Sequence, residues 1–267
     1  MITLPTSWGV TFFSLLGLLI GSFLNVVIHR LPLGESVVKP RSHCPHCKHK
    51  IAFYDNIPLL SYLWLFGKCR HCKTPISFRY FFVELLTASL SVLFYLYTMR
   101  GWHDYFFFFC FLIAPLIAIF FIDLKHLIIP NVLTLPGILV GIAAHYSVFS
   151  PFDGKTGALL DSLFGIIVGG GLLFLIAALY KKLRKEEGLG AGDIKLAAML
   201  GAFFGWQEVL MILLIASVVG SLIGLGVVAV RKDWNAQIPF GSFLSIAGIF
   251  QLFCGRQVLI WYMQFFN

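Results

Sequence analysis

Residues 105–122 read YFFFFCFLIAPLIAIFFI, eighteen positions without a charge, and the next residue is Asp123. A helix needs about 20 mostly apolar residues to cross ~30 Å of hydrocarbon, so this run is a membrane span that ends on a carboxylate. Six further stretches of the same kind lie at 9–28, 81–99, 127–149, 162–180, 209–230 and 238–254. An eighth, 194–205, is short for a crossing. Composition agrees: of 267 residues 59% are hydrophobic and 12% charged, with a mean hydropathy of +0.89. A soluble domain carries roughly a quarter charged residues. Disorder is excluded as well, because disordered chains are poor in aromatics and this one holds 28 Phe. The expected fold is an all-α polytopic membrane protein of eight transmembrane helices.

Loop charge sets the orientation, since Lys and Arg gather on the cytoplasmic side. No basic residue precedes Arg30, which puts the N-terminus outside. With eight spans the inner segments are 29–80, 123–126, 181–195 and 231–237, and they hold 17 of the 20 basic residues. Only Arg100, Lys155 and Arg256 fall elsewhere. Omitting the short helix would move Arg231 and Lys232 to the wrong face. The net charge of +8 is thereby explained by topology and anionic lipid, and no nucleic-acid partner is implied. The expected division is a first helix at 1–28, a polar cytoplasmic insert at 29–80, and a helical membrane domain at 81–267.

The insert carries Cys44-Pro-His-Cys47 and, after 21 residues, Cys69-Arg-His-Cys72. Two such knuckles present four thiolates, the donor set of a closed tetrahedral zinc site. Disulfides are rare in the reducing cytoplasm, which favours zinc. With no open coordination position implied, the metal is structural, a staple for an insert too small to hold itself together by a core.

Charged residues in or beside spans are costly and need a reason. Glu208 borders an outer turn and is expected to reach water. Glu84, one turn into the second helix, is expected to snorkel or to pair with a basic group. Asp123 and Asp193 both fall at cytoplasmic helix ends. Asp123 precedes Ile129-Pro130-Asn131, where the proline ends or bends the re-entering chain and makes the segment an irregular turn. Asp193 follows Gly188-Leu-Gly190-Ala-Gly192, whose glycines permit close backbone approach, and stands near the start of the short helix. If the two carboxylates meet, they share one proton; the ionised member takes a proton from water while the other donates to a carbonyl oxygen, the chemistry of aspartic peptidases. That chemistry needs no metal. Spacing alone, with 70 residues between them, favours a plainer reading in which each caps a helix or pairs with Lys125 or Lys195.

Taken together these motifs resemble the type IV prepilin peptidases, of the GxGD class of intramembrane aspartyl proteases. The first-helix signature is matched by Gly21-Ser-Phe-Leu-Asn25-Val-Val-Ile-His29-Arg30-Leu-Pro32. The insert matches through its Cys pairs, Asn56-Ile-Pro-Leu-Leu-Ser61, Ile76-Ser-Phe-Arg79-Tyr80 and Glu84-Leu-Leu-Thr87. The Asp123 segment ending at Asn131, Gly190-Ala-Gly192-Asp193-Ile-Lys195-Leu, and Ile238-Pro-Phe-Gly241 complete the series. Departures are Leu189, Phe53 and Ser242, where the family often has Met, Trp and Pro.

The resemblance implies a bifunctional enzyme of the bacterial cytoplasmic (inner) membrane. It would cut the basic leader of type IV prepilins, or of type II secretion pseudopilins, on the cytoplasmic side after a Gly. It would then methylate the new N-terminus from S-adenosylmethionine. Asp123 and Asp193 become the catalytic pair, reversing the plainer reading, with Gly190, Gly192 and Lys195 in the active-site loop. Cys44, Cys47, Cys69 and Cys72 become the tetracysteine motif. No residue pattern marks the methyl-donor pocket, and oligomeric state is left open. Two other readings compete. A presenilin-like protease would carry Tyr before the first Asp, where this chain has Ile122. A transporter would show inverted repeats, and none is evident.

Overall fold

A computed structural model describes residues 6–97, 101–186, 188–231 and 237–264; Met99, Arg100 and Lys232, used above for spans and orientation, lie outside them. Among the described residues the structure is helical, apart from turns, loops and two isolated bridges, His43–Lys50 and Lys68–Pro75. Contacts divide the chain into two compact units, 1–100 and 101–267.

In the first unit α1 (Thr6–Arg30) lies antiparallel to α3 (Phe78–Tyr97). Gly17 meets Ala88 and Ser91, and Gly21 meets Glu84 and Thr87, so closely that a Cβ on either would overlap the facing helix. Lipid tails give apolar side chains no reason to leave them, so association rests on close packing and hydrogen bonds, and small residues four apart supply the former. Ser91 Oγ donates to Phe13 O at 2.6 Å, and Asn25 Nδ2 donates to Tyr80 O at 2.9 Å. Between the helices sits the insert, with one short helix, α2 (Leu60–Trp64).

Glu84 does not snorkel, and among the described residues it pairs with no cation. It is buried, and its Oε2 accepts the Leu59 N–H at 2.8 Å. Leu59 stands at φ 59°, and Leu60 N bonds back to Pro58 O at 2.7 Å, a tight three-residue turn of the strained hand. The carboxylate holds that turn against the helix pair.

The second unit begins with α4 (Trp102–Asp104), which runs through a π-helical stretch, Tyr105–Ile113, into α5 (Ala114–His126). Pro115 has no N–H, and just before it the Ala114 N–H reaches back to Phe109 O; the wider register is absorbed upstream of the proline. Then follow α6 (Asn131–Arg184), α7 (Ala191–Phe204), α8 (Trp206–Arg231) and α9 (Phe240–Met263).

Helical bonding continues through all 54 residues of α6, where two spans with a loop between them were expected. The element is nevertheless no single rod. His145 and Asp161 would lie about 24 Å apart on a straight helix, yet His145 Nε2 and Asp161 Oδ2 are paired at 3.0 Å. The arms Asn131–Ser147 and Thr156–Arg184 therefore run back on one another. Both pack on α7: Gly137 faces Met199 and Gly141 faces Ala202 on one side, while Gly165 and Gly201 bring two backbones together on the other.

Among the described residues five helices are long and apolar enough to cross a membrane: Ser7–Leu33, Phe78–Tyr97, Trp102–His126, Thr156–Arg184 and Trp206–Val230. Asn131–Ser147 and Phe240–Gly255 are shorter, as is the 14-residue α7. Of the eight spans expected, five are thus met by length and composition, and three correspond to shorter apolar helices. From Leu196 to Phe204, α7 is buried throughout. At the His145 end of this unit Glu208 is half-buried and bonded to the Gln251 side chain, rather than free in water.

Candidate active site

Asp123 does not close its helix, as the sequence suggested. It lies one turn inside the end of α5, which stops where Leu127 takes a left-handed conformation (φ 55°) and its N–H bonds to Asp123 O at 2.9 Å. The irregular turn is the following stretch, 127–130, and Pro130 then serves as the N-cap of α6. Asp193 falls in the first turn of α7, capped by Gly190. These segments converge on a cavity of about 260 Å³ lined by Asp123, Ile129, Asn131, Gly190, Gly192 and Asp193, among others. Both carboxylates line this one cavity.

The fold surrounds Asp123 with donors. Ser242 N, at the start of α9, donates to its Oδ2 at 2.8 Å, and Ser242 Oγ donates to the same oxygen at 3.2 Å. The hydroxyl also lies 3.1 Å from Phe120 O. Gly241 supplies a further backbone bond. Asp193 takes one such bond, from the Gly190 backbone. The cap position of α7 is held by Gly190, and Asp193, inside the first turn, lines the cavity. Neither aspartate pairs with Lys125 or Lys195 among the described residues; Lys195 Nζ donates instead to Asn131 Oδ1 at 2.9 Å.

The motif glycines have a tangible cause. A Cβ on Gly192 would stand 2.8 Å from Ile129 Cβ, and one on Gly241 would stand 2.5 Å from Ile129 Cδ1 and 3.1 Å from Asp123 Oδ2. Ile129 is clasped between α7 and α9, and only glycine leaves room for it. Ser242 stood out in the sequence only as a departure from a motif, and nothing local pairs it with a residue 119 positions away.

In the first unit, the sulfurs of Cys44, Cys47, Cys69 and Cys72 all lie within 4.8 Å of one another. Cys44 and Cys72 are 3.7 Å apart, too far for a disulfide and close to the ~3.8 Å edge of a tetrahedron with 2.3 Å zinc–sulfur bonds. The two knuckles repeat one geometry. Lys48 N bonds to Cys44 O and Lys73 N to Cys69 O, and both lysines sit at positive φ, 57° and 58°. Arg70, inside the second knuckle, makes a two-pronged bond to Asp55 and holds that carboxyl below the usual carboxylate range. The donor set fits zinc.

The profile of the bacterial peptidase A24 N-terminal domain matches residues 15–98, and that of the type IV leader peptidase family matches residues 110–225. The chain is 40% identical to a prepilin leader peptidase/N-methyltransferase of Aeromonas hydrophila, across 94% of this chain and 93% of that protein. Identity is also 40% with a protein of that name from Pseudomonas aeruginosa (94% and 92%), and 44% with one from Myxococcus xanthus (84% and 65%). No solved structure matches. Two motif-bearing helix starts closing on Asp123, and relatives alike over nearly their whole length, lead to one conclusion: the chain belongs to the type IV leader peptidase family.

Proposed function

We propose that this protein is a prepilin leader peptidase and N-methyltransferase in which Asp123 and Asp193 are the catalytic pair. The observation that carries this reading is the shared cavity with one carboxylate on either side. The scissile peptide bond, after the last leader residue, a Gly, lies between them. The ionised aspartate takes a proton from water as its oxygen attacks the carbonyl carbon. The other carboxyl gives its proton to the carbonyl oxygen; as the tetrahedral species collapses, the first aspartate passes its proton to the leaving nitrogen, the second takes one back from the hydroxyl, and the amine departs.

Membrane-embedded helices hold both groups in a small cavity, where their charges act more strongly than in bulk water. The cavity faces the cytoplasm, where a basic leader remains once the hydrophobic part of a prepilin or pseudopilin has inserted. Cys44, Cys47, Cys69 and Cys72 hold zinc, which braces the insert at 29–80 and takes no part in proteolysis. The new N-terminus is then methylated from S-adenosylmethionine.

Purified protein in detergent, mixed with a prepilin and S-adenosylmethionine, tests this by intact mass. Loss of the leader and gain of one methyl group are expected, with Asp123→Asn and Asp193→Asn inactive in cleavage. Cleavage by either variant would remove that residue from the mechanism.

A further inference from the structure

We infer that the stretch from Leu60 to Lys73 is an interfacial foot, a surface of the insert that lies on the bilayer and takes anionic lipid headgroups. Its depth follows from what it touches. Leu59 is bonded to Glu84, six residues into α3, which is about 9 Å along that helix. The Tyr62 ring packs on Phe78 and Phe81, with centroids 6.5 and 5.5 Å apart. Helix α2 is thus held beside the first turns of a helix apolar enough to cross the membrane. Phe78 and Phe81 cover only the first ~5 Å of α3, and the zone between water and hydrocarbon is about 5–7 Å deep on each side, so α2, packed on them, falls at that level.

What α2 turns outward suits that zone. Leu60 and Leu63 are exposed, Trp64 is 80% exposed and Phe66 is 88% exposed. Water would oppose such a cluster, whereas Trp is favoured at the headgroup level. Phe66 also sits at φ 52°, a left-handed conformation that is unfavourable for a bulky side chain. Its N–H bonds to Leu63 O and that of Gly67 to Tyr62 O, so the helix ends by holding the Phe66 ring outward. Strain of about 1–3 kcal/mol persists only where the surroundings impose it.

Charge completes the match. Trp64, Phe66, Lys68, Arg70 and Lys73 border a cavity of about 420 Å³, within the size range of small-ligand sites. Arg70 is committed to Asp55, but neither Lys68 nor Lys73 has an acidic partner among the described residues. Two ammonium groups beside exposed aromatic rings meet the phosphates of an anionic leaflet, each contributing about 1 kcal/mol near such a surface.

The test uses the full chain in vesicles of phosphatidylcholine with and without phosphatidylglycerol. A photo-reactive benzoylphenylalanine replaces Phe66, and, as a positive control, Leu19 on the exposed face of α1. The expected result is lipid adducts at both positions, with phosphatidylglycerol preferred at position 66 and the preference lost in Lys68→Gln/Lys73→Gln. Adducts at 66 only to peptides of this chain, or only to another protein, would overturn the inference. So would labelling at 19 without labelling at 66, or labelling at 66 that ignores the headgroup.

Discussion

Ser242 donates twice to one oxygen of Asp123, through its backbone N–H at 2.8 Å and its hydroxyl at 3.2 Å. Both bonds fall on Oδ2. Ser242 is buried beside it. Ser242→Ala is expected to lower the kcat for leader cleavage about 3- to 10-fold, the scale of one ordinary hydrogen bond, with KM little changed. Ser242→Thr keeps both donors and should retain most activity. A fall in Ala and Thr alike would show that packing, not the hydroxyl, matters there.

Gly192→Ala should lower cleavage by at least about tenfold, because displacing a catalytic group by even 1 Å is costly and the new methyl group would press on Ile129. Ile129→Ala added to that variant should recover part of the activity. If the double variant is no better than the single one, the crowding account fails. Circular dichroism of both would confirm that the helices remain.

Glu84→Leu strands the Leu59 N–H and releases the insert from α3. Trypsin should then cut the 29–80 segment several-fold faster than in the parent protein, because removing one partner of a buried hydrogen bond leaves the other unsatisfied at about 1–3 kcal/mol. Glu84→Gln keeps an acceptor and should behave nearly like the parent. Equal protection of all three would mean the insert is held by other contacts.

Elemental analysis should find about one zinc per chain, as expected for four thiolates closing one tetrahedral site. Cys44→Ser and Cys69→Ser, one from each knuckle, should each release most of it and unfold the insert, since binding and folding of such small modules are one process. Full zinc retention in either variant would exclude that sulfur as a ligand.

Much of this protein could be read from local sequence. Membrane class follows from uncharged runs such as 105–122, because hydrocarbon must be crossed by a continuous apolar helix and that demand is written residue by residue. The cysteine knuckles were legible for a similar reason: their bite is set by three-residue spacing, and only the meeting of two knuckles had to be supplied by the fold. Asp123 and Asp193 stood out because a carboxylate at the edge of a span is rare.

The sequence could not place their partners. Spacing along the chain says nothing of which helix ends meet, so Asp193 and Asp123 could equally have been two independent caps. The reversal inside α6 was expected from the two separate apolar runs at 127–149 and 162–180, but the His145–Asp161 pair that fixes it joins residues 16 apart. Ile129 between two glycines, Glu84 on the Leu59 turn and Ser242 on Asp123 are decided by helix packing. Close approach at glycine and the filling of buried hydrogen bonds depend on distances through space, and those exist only once the helices have come together.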